Sequence, residues 1–331
     1  MIDFSQFDSL LAMTLYFNNE EVCKNAIIET RWGKGEQQDV VCPYCGKHHC
    51  KMSKSGRFHC TACNHNFSFK VGTIFEDSKL SLVKWFIAMY LISSHKKGIS
   101  SHQLSRDIMV TQKTAWYVLH KVRALYAQDD SEALEGEVEC DEVYIGGKEK
   151  WKHKYMRTPN TQGRSTKTKT PIFGMMERSY IINERGEEEF MSYVRAIVVE
   201  KTVKATLLPI IGQFIGEGST VFTDELNAYN KVGEMGYNHH ICNHGAFQFV
   251  CEDDGSVYTN NIECFWSHFR RMITGCYHNV TDEHLQSYID EACFRWNTRK
   301  ASQTERFTNM FTKSIGLVKT NREFVLCQKV A

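Results

Sequence analysis

Two C-x2-C pairs restrict the fold of this chain more than any other feature of its sequence. Cys42 and Cys45 form the first pair, Cys60 and Cys63 form the second, and fourteen residues separate them. Four thiolates at this spacing can reach one Zn2+ in tetrahedral geometry, and four unrelated cysteines rarely fall into such a pattern. The sequence therefore predicts a zinc ribbon that holds one structural Zn2+.

The ligand set of the predicted ribbon has alternatives. Cys50, His48 and His49 lie between the two pairs and offer further ligands, and the four cysteines are ordinary buried thiols if no metal binds. The chain has thirteen cysteines, and its first residues, MIDFSQFDSL, lack the basic segment of a signal peptide. These features indicate a reducing, cytoplasmic location, where paired cysteines bind metal more often than they form disulfides.

The length of 331 residues exceeds the size at which one hydrophobic core keeps growing, so several domains are expected. The longest apolar stretch, LSLVKWFIAMYLI at 80–92, has only thirteen residues and contains Lys84. Such a stretch is too short to span a membrane, and it is predicted to form a buried helix. We expect no membrane association.

Residues 96–126 have the pattern of a helix-turn-helix. Apolar residues at helical spacing predict two helices joined by a turn at 108–111. The second helix is predicted to place Lys113, Lys121 and Arg123 on its polar side, where they suit the phosphates of a DNA groove. Any two short packed helices can imitate this motif, so DNA binding and plain helix packing stay open as alternatives.

Basic residues are concentrated in two runs, although the formal net charge is only +1. Residues 96–123 contain six Lys or Arg and one acid, and residues 147–170 contain eight and one acid. The second run includes Lys148, Lys150, Lys152 and Lys154. A solvated surface explains either run alone, whereas both together beside a helix-turn-helix favour contacts with DNA phosphates.

The run EVECDEVYIGG at 137–147 places three carboxylates in a segment that otherwise reads as a buried strand. A carboxylate buried without a partner is costly, so it marks an ion pair, a metal site or a catalytic site. Strand alternation places Glu139 and Asp141 on one face and Glu142 on the other. Glu139 lies farther from the end of the strand, and Asp141 is therefore the predicted metal ligand.

The segments after this strand predict a mixed sheet. Further strands are expected at 170–182, 190–200, 218–225 and 239–243, and helices at 201–215, 226–235, 260–273 and 282–298. This order is that of an RNase H-like sheet, in which Asp141 lies on the central strand, Asp224 ends the neighbouring strand and Glu263 lies on a crossing helix. Three such carboxylates can hold two Mg2+ or Mn2+ ions for phosphoryl transfer.

Arg270, seven residues after Glu263, shares its helix face and suits a phosphate. Asp224 alone is equally well explained as a helix N-cap.

Several segments resemble the ISXO2-like DDE transposases of the IS1595 group of insertion sequences. They are CDEVYIGGKEK, GRSTKTKTPIFGMMER, VFTDELNAY and YTNNIECFWSHFRRMITGCYHNV, together with the ribbon and the helix KTAWYVLHKVR. The resemblance implies that Asp141, Asp224 and Glu263 are the catalytic acids. Some members have Asn as the third ligand, which corresponds to Asn260 or Asn261. Glu263 is preferred because a carboxylate binds Mg2+ better than an amide does.

The resemblance implies a DNA transposase that binds terminal inverted repeats, cleaves the ends of its element and joins them to target DNA. It also implies a nucleoid-associated homo-oligomer. Two alternatives stay open: a domesticated or inactive regulator that only binds DNA, and a structure-specific nuclease that cuts without joining. The expected domains are an N-terminal helix and zinc ribbon (1–75), a helix-turn-helix domain (76–130), an RNase H-like catalytic domain (131–305) and a C-terminal tail (306–331).

Overall fold

The structure is a computed structural model. It describes residues 4–35, 38–53, 56–128, 133–146, 149, 152–182, 185–242 and 258–316. The chain divides into two compact units, one formed by 1–126 with 300–331 and the other by 127–299.

The elements are numbered in chain order. The helices are α1 (Leu10–Tyr16), α2 (Glu20–Trp32), α3 (Leu82–Ser94), α4 (Ser101–Asp107), α5 (Gln112–Arg123), α6 (Lys204–Phe214), α7 (Asn260–Met272), α8 (Asp282–Asn297) and α9 (Gln303–Gly316). The strands are β1 (Cys50–Met52), β2 (Phe58–Cys60), β3 (Asn66–Phe67), β4 (Glu137–Gly146), β5 (Lys169–Ile182), β6 (Glu188–Val198), β7 (Thr220–Thr223) and β8 (Asn238–Ile241).

Helix α3 is the centre of the first unit and packs against α1, α2, α5 and α9. It contains the apolar stretch at 80–92, most of which is buried as predicted. Side chains cap the first turns of the helices: Ser81 accepts a hydrogen bond from the backbone of Lys84 at the start of α3, and Thr111 accepts one from Thr114 at the start of α5. No helix of the described residues is long and apolar enough to cross a membrane.

Residues 306–316, which the sequence assigned to a tail, belong to helix α9. Phe307 packs on Phe4 with ring centroids 5.8 Å apart, and Phe311 packs on Phe86 at 5.0 Å. Two phenylalanines four residues apart lie on one face of a helix. This segment therefore completes the core of the first unit, and the predicted tail is corrected in its first part.

The ribbon is a three-stranded antiparallel sheet in the order β1-β2-β3. Its small core is shared with α2, because Trp32 of that helix packs edge-on against Phe58 with centroids 4.8 Å apart. The stability of the ribbon therefore depends on packing against α2, which precedes it in the chain, as well as on its own short strands.

The second unit contains a five-stranded mixed sheet in the order β6-β5-β4-β7-β8. Strand β4 is central: it pairs antiparallel with β5 and parallel with β7. Helices α7 and α8 cover one face, where Val143 is buried, and α6 covers the other, where Cys140 is buried. Because both faces are covered, apolar residues of β4 are buried on both sides of the sheet, Val138 and Cys140 on one side and Val143 on the other.

The strands lie where the sequence predicted them, and one predicted helix does not form. Residues 226–235 contain two short 3-10 turns, Asn227–Tyr229 and Gly233–Met235. Between them the chain bends at Lys231 and Val232, so Tyr229 and Val232 pack into the core under the sheet.

Candidate active site

Asp141 lies on β4 on the face that α7 covers. Its partner on β5 is Gly174, and a Cβ added there would lie only 2.4 Å from Trp266 of α7. The missing side chain lets the indole rest directly on the sheet beside Asp141. Helix α7 therefore passes the strand at very short range, and the close approach depends on glycine.

The end of β7 brings Asp224 to the same place. The pairing of β4 with β7 stops at Glu139 and Phe222, so β4 continues beyond its neighbour and Asp141 reaches the end of β7. Carboxylate oxygens of Asp141, Glu142 and Asp224 lie within 4.8 Å of one another. Three acids, two from the middle of β4 and one just after the end of β7, are therefore within reach of one cation.

Glu142 is a member of this cluster that the sequence did not predict. Its position on the strand does put it on the face opposite to Asp141, but its carboxylate reaches the end of the short β7. There it accepts a hydrogen bond from the hydroxyl of Tyr229. Strand alternation fixes the direction of Cβ, whereas the oxygens of a Glu lie three bonds further out.

Glu263 lies in the exposed first turn of α7 and lines the same cleft as Asp141 and Glu142. Arg270 and Arg271 of the same helix also line this cleft. The predicted spacing therefore brings an acid and a base of α7 to one surface. The basic residues give the cleft a rim that suits phosphate groups.

The asparagines considered as third ligand lie elsewhere. Asn261 donates hydrogen bonds to Glu139 from its backbone N–H (3.1 Å) and from its side chain (2.7 Å), which turns its amide away from Asp141. Asn260 is exposed and does not belong to the residues that line the cleft. Glu263 is the better placed of the three.

Two carboxylates of the cluster, those of Asp141 and Glu142, have raised pKa values. Burial raises the pKa of Asp141 to about 7, and the charges of Asp224 and Glu263 add to the effect. Burial together with Asp224 and Asp141 raises the pKa of Glu142 to about 9. Crowded like charges have this effect unless a cation neutralises them. The donor set, all hard oxygens, fits Mg2+ or Mn2+.

Arg164 supplies a positive charge to the cluster. Its guanidinium donates to Asp224 at 2.5 Å, and the backbone N–H of Leu226 donates to the other oxygen of Asp224 at 2.9 Å. Arg164 belongs to the basic run at 147–170, so part of this run lies directly at the acids. Sequence reasoning assigned no separate role to Arg164.

Other members of that run are divided. Lys148 and Lys150 lie outside the described residues. Lys152 forms an ion pair with Glu149 at 2.7 Å, and Lys154 is exposed. Lys154 is therefore accessible to a DNA phosphate, whereas the charge of Lys152 is partly neutralised by Glu149.

The second helix of the predicted helix-turn-helix, α5, presents fewer basic side chains than expected. Lys113 is exposed in its first turn, whereas Lys121 and Arg123 are each only 1% exposed. Burial lowers the pKa of Lys121, and the charges of Glu76 and Asp77 oppose the shift. The expected position of Lys121 and Arg123 on an exposed polar side is thus wrong, because the last turns of α5 pack into the unit.

The four predicted zinc ligands lie together at the tip of the ribbon. The Sγ atoms of Cys42 and Cys63 are 3.6 Å apart and those of Cys45 and Cys60 are 3.7 Å apart, and all four lie within 4.8 Å. A tetrahedron with Zn–S bonds of about 2.3 Å has edges of about 3.8 Å. The sulfur atoms therefore fit a single Zn2+.

Tight turns shape this group. Gly46 and Asn64 each follow a C-x2-C pair and have left-handed backbone angles, with φ of 69° and 60°. Backbone N–H groups of the second turn point at the sulfur of Cys60 and lower its pKa to about 6. These N–H groups therefore favour the thiolate form of Cys60, which is the form that binds a metal.

The alternative ligands have other contacts. Cys50 Sγ approaches the carbonyl of Lys47 at 3.9 Å, and His48 Nδ1 lies 2.6 Å from the carboxylate of Asp39. Among the described residues the cluster at the ribbon tip consists of the four predicted cysteines.

Comparison with known families finds matches for two parts of the chain. Residues 133–297 match the model of the ISXO2-like transposase domain, and residues 18–66 match that of the transposase zinc-ribbon domain. The chain belongs to the ISXO2-like transposases. The matched regions contain the acid cluster and the four cysteines, respectively.

Two relatives support this assignment. This transposase is 28% identical over 285 residues to a Halobacterium salinarum protein described as "Uncharacterized protein in transposable element ISH50". The aligned residues cover 82% of this chain and 89% of the relative. It is 31% identical over 104 residues to a transposase-like protein of Haemophilus influenzae, covering 31% of this chain and 80% of that protein.

Proposed function

We propose that this transposase cuts and joins DNA at a divalent-metal site formed by Asp141, Asp224 and Glu263. The observation that supports the proposal is that acids from a central strand and from the end of its neighbour lie within 4.8 Å of one another, while Glu263, in the first turn of a crossing helix, lines the same cleft. We assign the sheet, with its order β6-β5-β4-β7-β8, to the RNase H-like class. Two Mg2+ or Mn2+ ions at such a site would activate the attacking hydroxyl and stabilise the leaving oxygen of a phosphodiester.

The protein side chains have separate tasks in this proposal. Asp141 supplies a ligand from the middle of β4, Asp224 supplies one from the end of β7, and Glu263 supplies the third from α7. Glu142 adds negative charge to the same cluster. Arg270, one of the two arginines on the rim, holds the phosphodiester in line by contacting its non-bridging oxygens.

Glu263 is the proposed third ligand in place of Asn260 or Asn261. Its carboxylate opens onto the cleft, whereas the amide of Asn261 is bound to Glu139. A carboxylate is also the stronger ligand for a hard cation. Arg270 lies seven residues after Glu263 on the same face of α7, and it lines the same cleft.

We propose that the first unit recognises the terminal inverted repeats of the element. Helices α4 and α5 form a helix-turn-helix that contacts DNA through the exposed start of α5, including Lys113, and the ribbon is held by one Zn2+. The basic segment with Lys154 and Arg164 binds DNA without sequence preference, at the element end and at the target. We expect a cytoplasmic, nucleoid-associated homo-oligomer that brings two ends together.

Two other functions predict different behaviour. A regulator that only binds DNA has no use for crowded acids, which cost stability unless a cation is bound, and the intact cluster disfavours it. A nuclease that cuts without joining needs the same acids. Transfer of a labelled element end into a second DNA molecule distinguishes it from a transposase.

The test uses purified protein and a plasmid that contains the DNA flanking its own gene. Asp141→Asn, Asp224→Asn and Glu263→Gln should each abolish Mg2+-dependent cleavage and transfer while end binding stays near the wild-type level, because these changes remove charge with little change in shape. Asn260→Ala should remain active. Cleavage by all three acid variants would refute the metal site. Activity in Glu263→Gln together with inactivity in Asn260→Ala would instead move the third ligand to Asn260.

A further inference from the structure

Glu139 is completely buried two residues before Asp141 on β4, yet it is not part of the acid cluster. We propose that Glu139 is a positioning residue, whose buried carboxylate holds the segments that present Asp141, Asp224 and Glu263 in one arrangement. This inference rests on the proposed metal site. It concerns a different group of atoms from the ligands themselves.

The Glu139 carboxylate accepts four hydrogen bonds. Its Oε1 accepts from Arg178 Nε at 2.7 Å and from the side-chain amide of Asn261 at 2.7 Å. Its Oε2 accepts from the backbone N–H groups of Asn261 at 3.1 Å and Ile262 at 3.0 Å. A carboxylate offers about four acceptor sites, so Glu139 has none left for a metal ion.

Two of these bonds fix the start of helix α7. Thr259 is the N-cap residue of this helix and makes no side-chain capping bond. The N–H groups of the first turn are instead capped by Glu139 from the neighbouring strand, and its negative charge also suits the positive end of the helix dipole. Glu263 directly follows Ile262, so the capped turn is the one that presents the proposed third ligand.

Arg178 extends the connection to the remaining strand. It is 6% exposed on β5, and besides Glu139 it bonds the carbonyl of Tyr258 at 2.5 Å, just before α7. Its guanidinium also stacks 4.2 Å from the ring of Phe222. Phe222 lies on β7 two residues before Asp224, so the ion pair contacts the segment of each proposed ligand.

The geometry makes the charge of Glu139 necessary and not merely its size. Four donors surround its two oxygens, and a glutamine would turn an NH2 group toward donors on one side. Hydrogen bonds to a charged group contribute more than neutral ones, and a buried donor left without an acceptor is costly. The start of α7 would then shift relative to β4, which would separate Glu263 from Asp141.

The experiment measures Mn2+ binding to the full-length protein by calorimetry in the absence of DNA, together with melting temperature and cleavage. Glu139→Gln should weaken Mn2+ binding by about 10- to 100-fold, the usual effect of losing a residue that orients metal ligands. The Mn2+ concentration for half-maximal cleavage should rise in proportion, while affinity for DNA ends stays unchanged. A merely structural role would lower the melting temperature and leave Mn2+ binding by the folded protein unchanged.

Glu137→Gln is the matched control. Glu137 is on the same strand and accepts a hydrogen bond from the same guanidinium at 3.0 Å, but its side chain is 46% exposed and, among the described residues, bonds no group of α7. It should bind Mn2+ as the wild type does. If Glu139→Gln does not fold, Glu139→Asp decides, because it keeps the charge but is one methylene too short to reach both N–H groups of α7.

The outcomes separate the two proposals. Weak Mn2+ binding by Glu139→Gln or Glu139→Asp, with normal binding by Glu137→Gln, supports the positioning role. Normal binding by the folded Glu139 variants, when Asp141→Asn has lost binding, overturns the positioning role and leaves the metal site intact. Normal binding by Asp141→Asn overturns the metal site itself.

Discussion

Substitution of Gly174 by alanine should uncouple helix α7 from the sheet at the point where Asp141 lies. An added Cβ would lie 2.4 Å from Trp266 Cζ2 and 2.7 Å from Trp266 Cη2, where carbon atoms normally stay about 3.5–4.0 Å apart. The φ of Gly174 lies outside the left-handed region, so alanine suits the backbone. The effect therefore comes from side chains of α7: the indole must move by roughly 1 Å or more, and Ile262 Cδ1, at 3.1 Å from the added Cβ, must give slightly.

The expected cost is that of overpacking a tight core, about 1–3 kcal/mol. For a unit of this size, 1 kcal/mol corresponds to about 2–4 °C, so the melting temperature should fall by about 2–12 °C. A displacement of about 1 Å in a catalytic group can cost roughly 100-fold in rate. We expect the cleavage rate at 25 °C to fall by about that factor, because the movement of Trp266 takes Glu263 with it.

Gly212→Ala is the control for this prediction. Gly212 lies in α6 on the other face of the sheet, and its nearest neighbour is the flexible end of Met235 at 3.3 Å. Alanine in a helix is favoured over glycine by about 0.5–1 kcal/mol, so stability should stay equal or rise and cleavage should not change. Wild-type melting and cleavage in Gly174→Ala would refute the close contact of α7 with the strand of Asp141.

Three further predictions concern zinc, DNA recognition and pH. Metal analysis should find one Zn2+ in the wild type and none in Cys42→Ser, and the ribbon of this variant should unfold because its own core is small. Wild-type protein that contains no zinc, although it was produced with zinc present, would contradict this prediction. Lys113→Ala should reduce the slope of log K for DNA-end binding against log salt concentration by about one, because one phosphate contact is lost. The buried Lys121 makes no such contact, so Lys121→Ala should mainly lower the melting temperature. An equal loss of DNA affinity in both variants would contradict this difference. Folding raises the pKa of Asp141 from 3.8 to about 7, so the folded metal-free protein holds a proton that the unfolded chain has released. The free energy of unfolding should therefore fall as pH rises from about 4 to about 7, and Asp141→Asn should remove this part of the pH dependence in denaturant titrations.

The strands of the second unit could be predicted because each is an apolar run between polar turns. The place of helix α9 in the first unit could not be predicted, because Phe307 and Phe311 pack against Phe4 and Phe86, which lie more than 200 residues earlier in the chain. Residues 226–235 have helical spacing in the sequence, but the core under the sheet draws in Tyr229 and Val232 from two separate turns.

Two acids of the candidate site, Asp141 and Asp224, were accessible to sequence reasoning, because strand order alone brings them together. Glu142 and the surroundings of these acids were not predicted. Whether Lys121 is exposed depends on what packs against α5, and hydrophobic spacing does not identify that partner. The role of Glu139 depends on the start of α7, which lies over 120 residues away along the chain.

The most direct measurement is anomalous diffraction from crystals of the protein bound to a DNA end and soaked with Mn2+. The proposed function predicts two Mn2+ peaks about 3.5–4 Å apart, contacted by Asp141, Asp224 and Glu263. Glu139 should contact neither peak, since its oxygens are bonded to Arg178 and α7. Peaks bound by other residues, or an acid cluster that holds no Mn2+ while DNA is in place, would contradict the account.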